Sequence, residues 1–253
     1  MKYIKIITLP GLCLIGSFLS AFCNQPNPAK SGFAVIELFT SEGCSSCPPA
    51  DELVAKVQKE YQNEPVYILS FHVDYWNRLG WKDVYSNADY SKRQEAYAKS
   101  LHIPSVYTPQ IVVNGSKEFV GSQDGVLRNA IKAALHNTGS AQISLSNIIN
   151  SGTKITIHYH TVGTSKYSEV ILALVQKSAQ TNVKAGENKG HILSHVQIVR
   201  QMQRFAVGNK DGTTQLMLPK GVSSQNIEVI ALVQDNACGQ ITGATKQPLP
   251  IAS

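Results

Sequence analysis

Two rhythms of apolar residues alternate along the first half of the chain. Ala34–Phe39 and Val66–Val73 are short, nearly continuous apolar runs, the pattern of strands covered on both faces. Leu53, Val54, Val57 and Tyr61 recur at helical spacing, as do Val126, Leu127, Ala130, Ile131, Ala134 and Leu135. Between these, Asn87 to His102 is polar and helix-permissive and stops at Ile103-Pro104, while Gln110–Val113 is a short strand closed by Asn114-Gly115, a strong hairpin turn. After residue 140 the rhythm changes. Ile143–Ile149, Lys154–Thr161, Glu169–Gln176, Thr213–Leu218 and Ile227–Gln234 are short, β-rich and separated by turn residues, which predicts an antiparallel sandwich. One segment among them, Ile192 to Phe205, reads as a helix. The expectation is an α/β domain over 33–140 followed by an all-β, sandwich-like domain over 141–253.

The first residues follow another logic. Lys2 and Lys5 precede an almost uncharged apolar stretch, Ile6 to Phe22, and polar Asn24-Gln-Pro-Asn27 follows, the layout of a secretory signal peptide. Ala21-Phe22-Cys23 favours cleavage after Cys23, leaving 24–32 as a linker. A lipid anchor on Cys23 is the alternative, although bulky Phe22 fits it poorly. An uncleaved anchor is disfavoured because Pro10-Gly11 breaks the helix and leaves too short a span. The protein is therefore expected to be secreted or periplasmic, with no membrane span after cleavage. Losing Lys2 and Lys5 takes the formal charge from +6 to +4. With no run of Lys or Arg, the chain carries no nucleic-acid footprint.

Composition leaves three cysteines after residue 23: Cys44, Cys47 and an odd Cys238. That excludes a densely disulfide-stapled scaffold, and an oxidising compartment leaves Cys44-Ser-Ser-Cys47 free to form a bridge. A C-x-x-C pair closes a small disulfide ring and reopens it by thiolate attack, the minimal unit of reversible thiol chemistry. Here it sits where a buried strand turns into a helix opening with Pro48-Pro49. Thr108-Pro109, directly before the strand Gln110–Val113, is the natural place for a cis proline that leaves the preceding backbone free to pair with an extended peptide.

The order strand, C-x-x-C, helix, strand, helix, Thr-Pro, hairpin, helix over about residues 33–137 resembles thioredoxin and glutaredoxin. The words Glu37-Leu-Phe-Thr-Ser-Glu-Gly-Cys-Ser-Ser-Cys-Pro-Pro-Ala-Asp51 and His72-Val-Asp-Tyr-Trp-Asn77 resemble something narrower, the secreted domain-of-unknown-function 1223 family. The resemblance implies a thioredoxin-like α/β fold for 33–140 and a redox role, and it supplies no substrate. Two departures matter. Thioredoxins carry a buried acid six residues before the first cysteine; here that position is Leu38, and Glu37 lies one residue away, on the opposite face of the strand. His72 and Asp74, at the end of a central strand, are the candidate substitutes for handling the proton. Pro48 also disfavours helical geometry at Cys47 and places the helix start at Pro48. With Glu42 close by and nothing basic between the cysteines, Cys44 is expected to be less acidic than in strongly oxidising relatives.

The resulting expectation is thiol–disulfide exchange with extracytoplasmic protein thiols or disulfides, with no cofactor. Cys44 attacks from an exposed position, Cys47 resolves, and Thr108-Pro109 presents the substrate backbone. Two alternatives use the same thiols: copper binding by Cys44, Cys47 and His72, since soft thiolates favour Cu(I), and a binding protein with a static disulfide. His158 and His160 share a strand face and His191 and His195 a helix face, with no carboxylate or cysteine beside either pair in sequence, so both read as ordinary surface histidines. Arg200 and Arg204 read as a solvated helix face. Asp74–Asn77 and Trp81 either line a peptide groove or pack between the two halves.

Overall fold

The computed structural model describes residues 32–252. The expected signal peptide 1–23, the lipid alternative at Cys23 and all but the last residue of the 24–32 linker lie outside the described residues.

Strand β1 (Ala34–Thr40) shows how the alternation works. Ala34, Ile36 and Leu38 point to one face, where helices α1 (Pro48–Glu60) and α3 (Asp124–Leu135) cover them. Val35 and Phe39 point to the other, where Tyr90 and Tyr97 of helix α2 (Ala88–Ser100) pack. Glu37 shares that second face and is buried there, clamped by Arg93 and Tyr97 of α2. The opposite-face reading of Leu38 and Glu37 therefore holds. Helix α1 begins with Pro48 in its first turn, a position that lacks a hydrogen-bonding partner for N–H anyway. Asn87 caps α2 by accepting from the Asp89 N–H at 3.0 Å.

Strand β2 (Val66–His72) runs parallel to β1, and β3 (Gln110–Val113) and β4 (Lys117–Val120) continue the sheet antiparallel on β1's far side. Asn114 and Gly115 turn this hairpin with φ of 49° and 64°. A Cβ at Gly115 would stand 2.0 Å from the Gly239 carbonyl oxygen, so the close approach requires glycine. The second half contributes β5 (Gln142–Asn150), β6 (Lys154–Val162), β7 (Ser168–Asn182), β8 (Ile192–Ala206), β9 (Asp211–Met217), β10 (Ile227–Asp235) and β11 (Ile241–Pro248).

These strands do not form a separate sandwich. β8 pairs parallel with β2, so that β11-β10-β7-β8-β2-β1-β3-β4 is one mixed eight-stranded sheet, with β5-β6-β9 a second sheet over its C-terminal part. Strands hold 43% of the described residues against 20% in helices, so the protein is mostly β. The expected class, a thioredoxin-like α/β domain followed by an all-β sandwich, is thereby corrected. The missing information was lateral. Period-two and period-3.6 patterns say which face of an element is buried, but not which strand lies beside it in the sheet. One apolar core runs straight across the change of rhythm at residue 140, joining Phe39 and Phe71 to Ile171, Val199 and Leu232.

The helix expected over Ile192 to Phe205 is also corrected. That segment is β8, paired along its length with β7. Its alternation is broken where the register shifts between Leu174 and Val175 and where Gln197 takes a φ of 53°. A β-bulge moves inward positions out of phase: Leu193 and His195 alternate as in a regular strand, and then Gln197, Ile198 and Val199 are buried in succession, which spoils the period of two. His191 and His195 thus share no helix face.

Candidate functional site

Cys44 and Cys47 form a disulfide in the turn from β1 to α1. The turn is built by backbone bonds: Cys44 N–H donates to the Ser41 carbonyl and Cys47 N–H to that of Cys44, each at 3.2 Å. Thr108-Pro109 is cis. Thr108 Oγ1 lies 3.3 Å from Cys44 Sγ, and Trp76 Nε1 donates to the same hydroxyl at 2.8 Å. Ser45 and Ser46 are exposed, but Cys44 and Cys47 are both fully buried. The exposed attacking sulfur expected from the sequence is therefore corrected for the oxidised protein. The covering groups come from segments distant in the chain.

The main cover is the 183–191 connection between β7 and β8, which the sequence reading passed over. Asn188 is buried and donates to two carbonyls of the C-x-x-C turn, Glu42 at 2.9 Å and Cys44 at 3.0 Å. Beside it, the Glu187 carboxylate accepts from Ser45 N–H at 3.0 Å, and the Ser45 hydroxyl and N–H hold that carboxyl below its ordinary value. Replacing Asn188 with alanine removes both of its bonds from buried carbonyls. The expected cost is about 1–3 kcal/mol in urea unfolding, together with faster opening of the bridge by dithiothreitol, read by alkylation.

Beneath the turn lies a buried ionisable cluster: Glu42, Asp51, His72, Asp83 and His195. Asp51 stands one helical turn after Cys47, its N–H 3.2 Å from the Cys47 carbonyl. Its Oδ2 accepts from Thr40 at 2.9 Å, and its Oδ1 faces His195 Nδ1 at 3.5 Å. His195 Nε2 faces Glu42 Oε1, also at 3.5 Å, while Trp81 Nε1 donates to Glu42 Oε2 at 2.7 Å. Both histidine contacts are ion-pair distances, longer than a tight hydrogen bond. Burial, the largest influence on His195, works against its charge, but Asp51 and Glu42 outweigh it and push the pKa up to about 9. His72 Nδ1 meets Asp83 Oδ2 at 2.7 Å, and the His72 ring lies edge-on to that of His195, centroids 4.8 Å apart. Burial works to raise the Asp83 carboxyl, yet His72 and the N–H groups of Glu42 and Tyr85 hold it below the ordinary carboxylate value. Among the described residues, Glu42 Oε1, His72 Nε2 and His195 Nε2 are buried without a hydrogen-bond partner.

The structure thus brings Cys44, Cys47, Thr108 and Pro109 together and sets His72 in the cluster beneath. Asp74 stands elsewhere: its Oδ1 accepts from Ser91 of α2 at 2.5 Å, and its N–H donates to the same hydroxyl at 3.2 Å. The copper reading needed Cys44, Cys47 and His72 as one ligand set. Among the described residues, no group of three or more His, Cys, Asp or Glu side chains is arranged to hold a metal ion. The aromatics prove to be built into the site: Trp76 reaches Thr108 and Trp81 reaches Glu42. Carboxylates do join both histidine pairs, Asp51 at His195 and Asp211 at His160 (2.7 Å), contacts invisible at those sequence separations. Arg200 and Arg204 are not on a helix face either: Arg200 stacks over Tyr85 and Arg204 pairs with Glu169. Cys238 is free and exposed.

Comparison with known structures places this architecture. A protein of Agrobacterium tumefaciens solved by X-ray crystallography is similar at 27% identity and a TM-score of 0.67, over 89% of this chain and 98% of the other. HBP35 of Porphyromonas gingivalis is similar in fold at 17% identity and a TM-score of 0.60, over 89% of this chain and 77% of the other. No curated protein is significantly similar in sequence. The family model described as a protein of unknown function, DUF1223, matches residues 35–234, a span that holds both cysteines, the cis-proline segment and the covering loop, and the chain belongs to that family.

Proposed function

We propose that this protein exchanges thiols and disulfides with extracytoplasmic proteins through the Cys44–Cys47 bridge. The observation that carries the reading is the 3.3 Å approach of Thr108 Oγ1 to Cys44 Sγ. It sets the segment before β3, a candidate for pairing with an extended substrate, directly against the sulfur that a substrate thiolate would attack. Cys47, at the first turn of α1, is the leaving and resolving sulfur. The proposed kinship with thioredoxin-like proteins is one of site alone, carried by the strand, the C-x-x-C turn, the helix and the Thr-Pro segment, and does not extend to the mixed eight-stranded sheet. Secretion or a periplasmic location, inferred from residues 1–23, gives such a bridge an oxidising setting.

One observation favours a second reading, a static disulfide: both cysteines are fully buried in the oxidised protein. Equilibration with glutathione buffers of graded potential, followed by alkylation and mass measurement, decides between them. Exchange requires the bridge to open and close reversibly in folded protein. A bridge that stays closed until the fold melts is structural, and the exchange reading falls.

A further inference from the structure

The buried cluster beneath the bridge is larger than a structural clip needs. Glu42, Asp51, His72, Asp83 and His195 are all less than a tenth exposed; His72 Nε2 has no hydrogen-bond partner among the described residues, and Glu42 Oε1 and His195 Nε2 meet only each other, at 3.5 Å. Unsatisfied buried groups cost free energy and call for a physical reason. These lie at the one place where proton movement accompanies the proposed chemistry.

Opening a disulfide produces a thiolate that must be protonated or stabilised. An external thiolate forms a bond to Cys44 Sγ, the Sγ–Sγ bond breaks, and its electron pair leaves on Cys47 Sγ. Cys47 is fully buried, so water is a poor source of that proton. Asp51 follows one turn later on the same helix, and His195 touches Asp51 with one ring nitrogen and Glu42 with the other. We propose that His195 is the proton store of the bridge, delivering its proton through Asp51 to the Cys47 thiolate as the bridge opens and taking it back when the bridge closes. The balance is complete. External thiolate, disulfide and protonated His195 become a mixed disulfide on Cys44, a Cys47 thiol and neutral His195, which recovers the proton from Cys47 when the bridge closes. The external thiol is the reductant.

Every element packed against His195 contributes to its charge state. Asp51 faces it from α1, Glu42 from the turn after β1, and His72 from β2 with Asp83 behind. The Tyr85 ring lies 5.8 Å away, with the Arg200 guanidinium of β8 stacked over that same ring, 5.1 Å from its centroid. The two carboxylates prevail and keep His195 protonated through neutral pH, up to about 9. His195 is a positioning residue here, acting on the sulfur through Asp51.

This inference rests on the exchange reading, and its test separates the two. Full-length oxidised protein is opened with dithiothreitol from pH 6 to above about 9, and the opening rate is followed by alkylation for wild type, His195→Gln and Asp51→Asn. Dividing wild-type by variant rates at each pH cancels the ionisation of the reductant. Near neutral pH the ratio is expected to be about tenfold or more, and to fall to unity as pH rises through about 9 and wild-type His195 loses its proton. A ratio that does not change with pH marks a packing effect and overturns the proton store while leaving exchange intact. A wild-type bridge that does not open in folded protein overturns both. Circular dichroism checks folding; should His195→Gln not fold, Asp51→Asn, which keeps the side-chain shape, yields the same ratio.

Discussion

Replacing Arg93 with methionine is expected to cost about 3–5 kcal/mol and to lower the melting temperature by about 10 °C. Arg93 of α2 meets Glu37 of β1 through two nitrogens, at 2.5 and 2.8 Å, with both side chains no more than 2% exposed. Its third nitrogen donates to Gln234 of β10 at 3.1 Å, and its guanidinium lies over the Phe71 and Tyr97 rings. The substitution keeps the volume but strands the Glu37 carboxylate in an apolar core with only the Tyr97 hydroxyl as partner. The penalty is that of an unpaired buried charge, not the net worth of the pair. Hence the double variant Arg93→Met, Glu37→Leu is expected to recover much of the loss. Thermal unfolding of the single and double variants checks this, and equal destabilisation in both would refute the charge argument.

The largest functional effect belongs to the cysteines. In a Cys238→Ser background, which removes the free exposed thiol, Cys47→Ser is expected to accumulate mixed disulfides with an added disulfide-linked peptide, the Cys44 thiolate attacking that disulfide and one peptide half leaving as a thiolate. Cys44→Ser is expected to form none. Cys44 is the sulfur beside Thr108, whereas Cys47 lies against the helix, with its carbonyl accepting from Ala50 at 2.9 Å and Asp51 at 3.2 Å. A partner approaching along the Thr108-Pro109 segment meets Cys44 first. Attack leaves the adduct there, and without Cys47 nothing resolves it. Adducts accumulating on Cys44→Ser instead would reverse the assignment of roles. Mass spectrometry of the intact protein distinguishes these results.

Local chemistry made part of this legible beforehand. The alternation in Ala34–Thr40 places Leu38 and Glu37 on opposite faces, and the C-x-x-C turn, the Pro48 start of α1 and the Asn114-Gly115 hairpin follow from residue types at close range. Thr108-Pro109 was placed near the cysteines by the order of elements. The rest depends on contacts across long stretches of chain. His195 lies 144 residues from Asp51, and Asn188 reaches Cys44 across the same separation. Nothing local to Gly186-Glu-Asn-Lys-Gly190 distinguishes a loop that covers a disulfide from any polar turn. His195 was hidden further by the bulge that spoils the period of two in β8. A histidine at an inward strand position, flanked by Leu193 and Ile198, was the one signal present, and it becomes readable only once the segment is known to be a strand.

The parallel contact of β2 with β8 bears on how the chain can be cut. Ser70 Oγ donates to the Val196 carbonyl at 2.8 Å, and Ser70 and Ile198 are partners in the ladder. A fragment ending near residue 140 would retain the C-x-x-C turn but lose this neighbour, opening the flank of Val66–His72, a buried and largely apolar strand. Exposed strands of that kind pair with copies of themselves. Such a truncation is therefore a seed for self-association, and the second half of the chain serves the first as a built-in chaperone for its open edge.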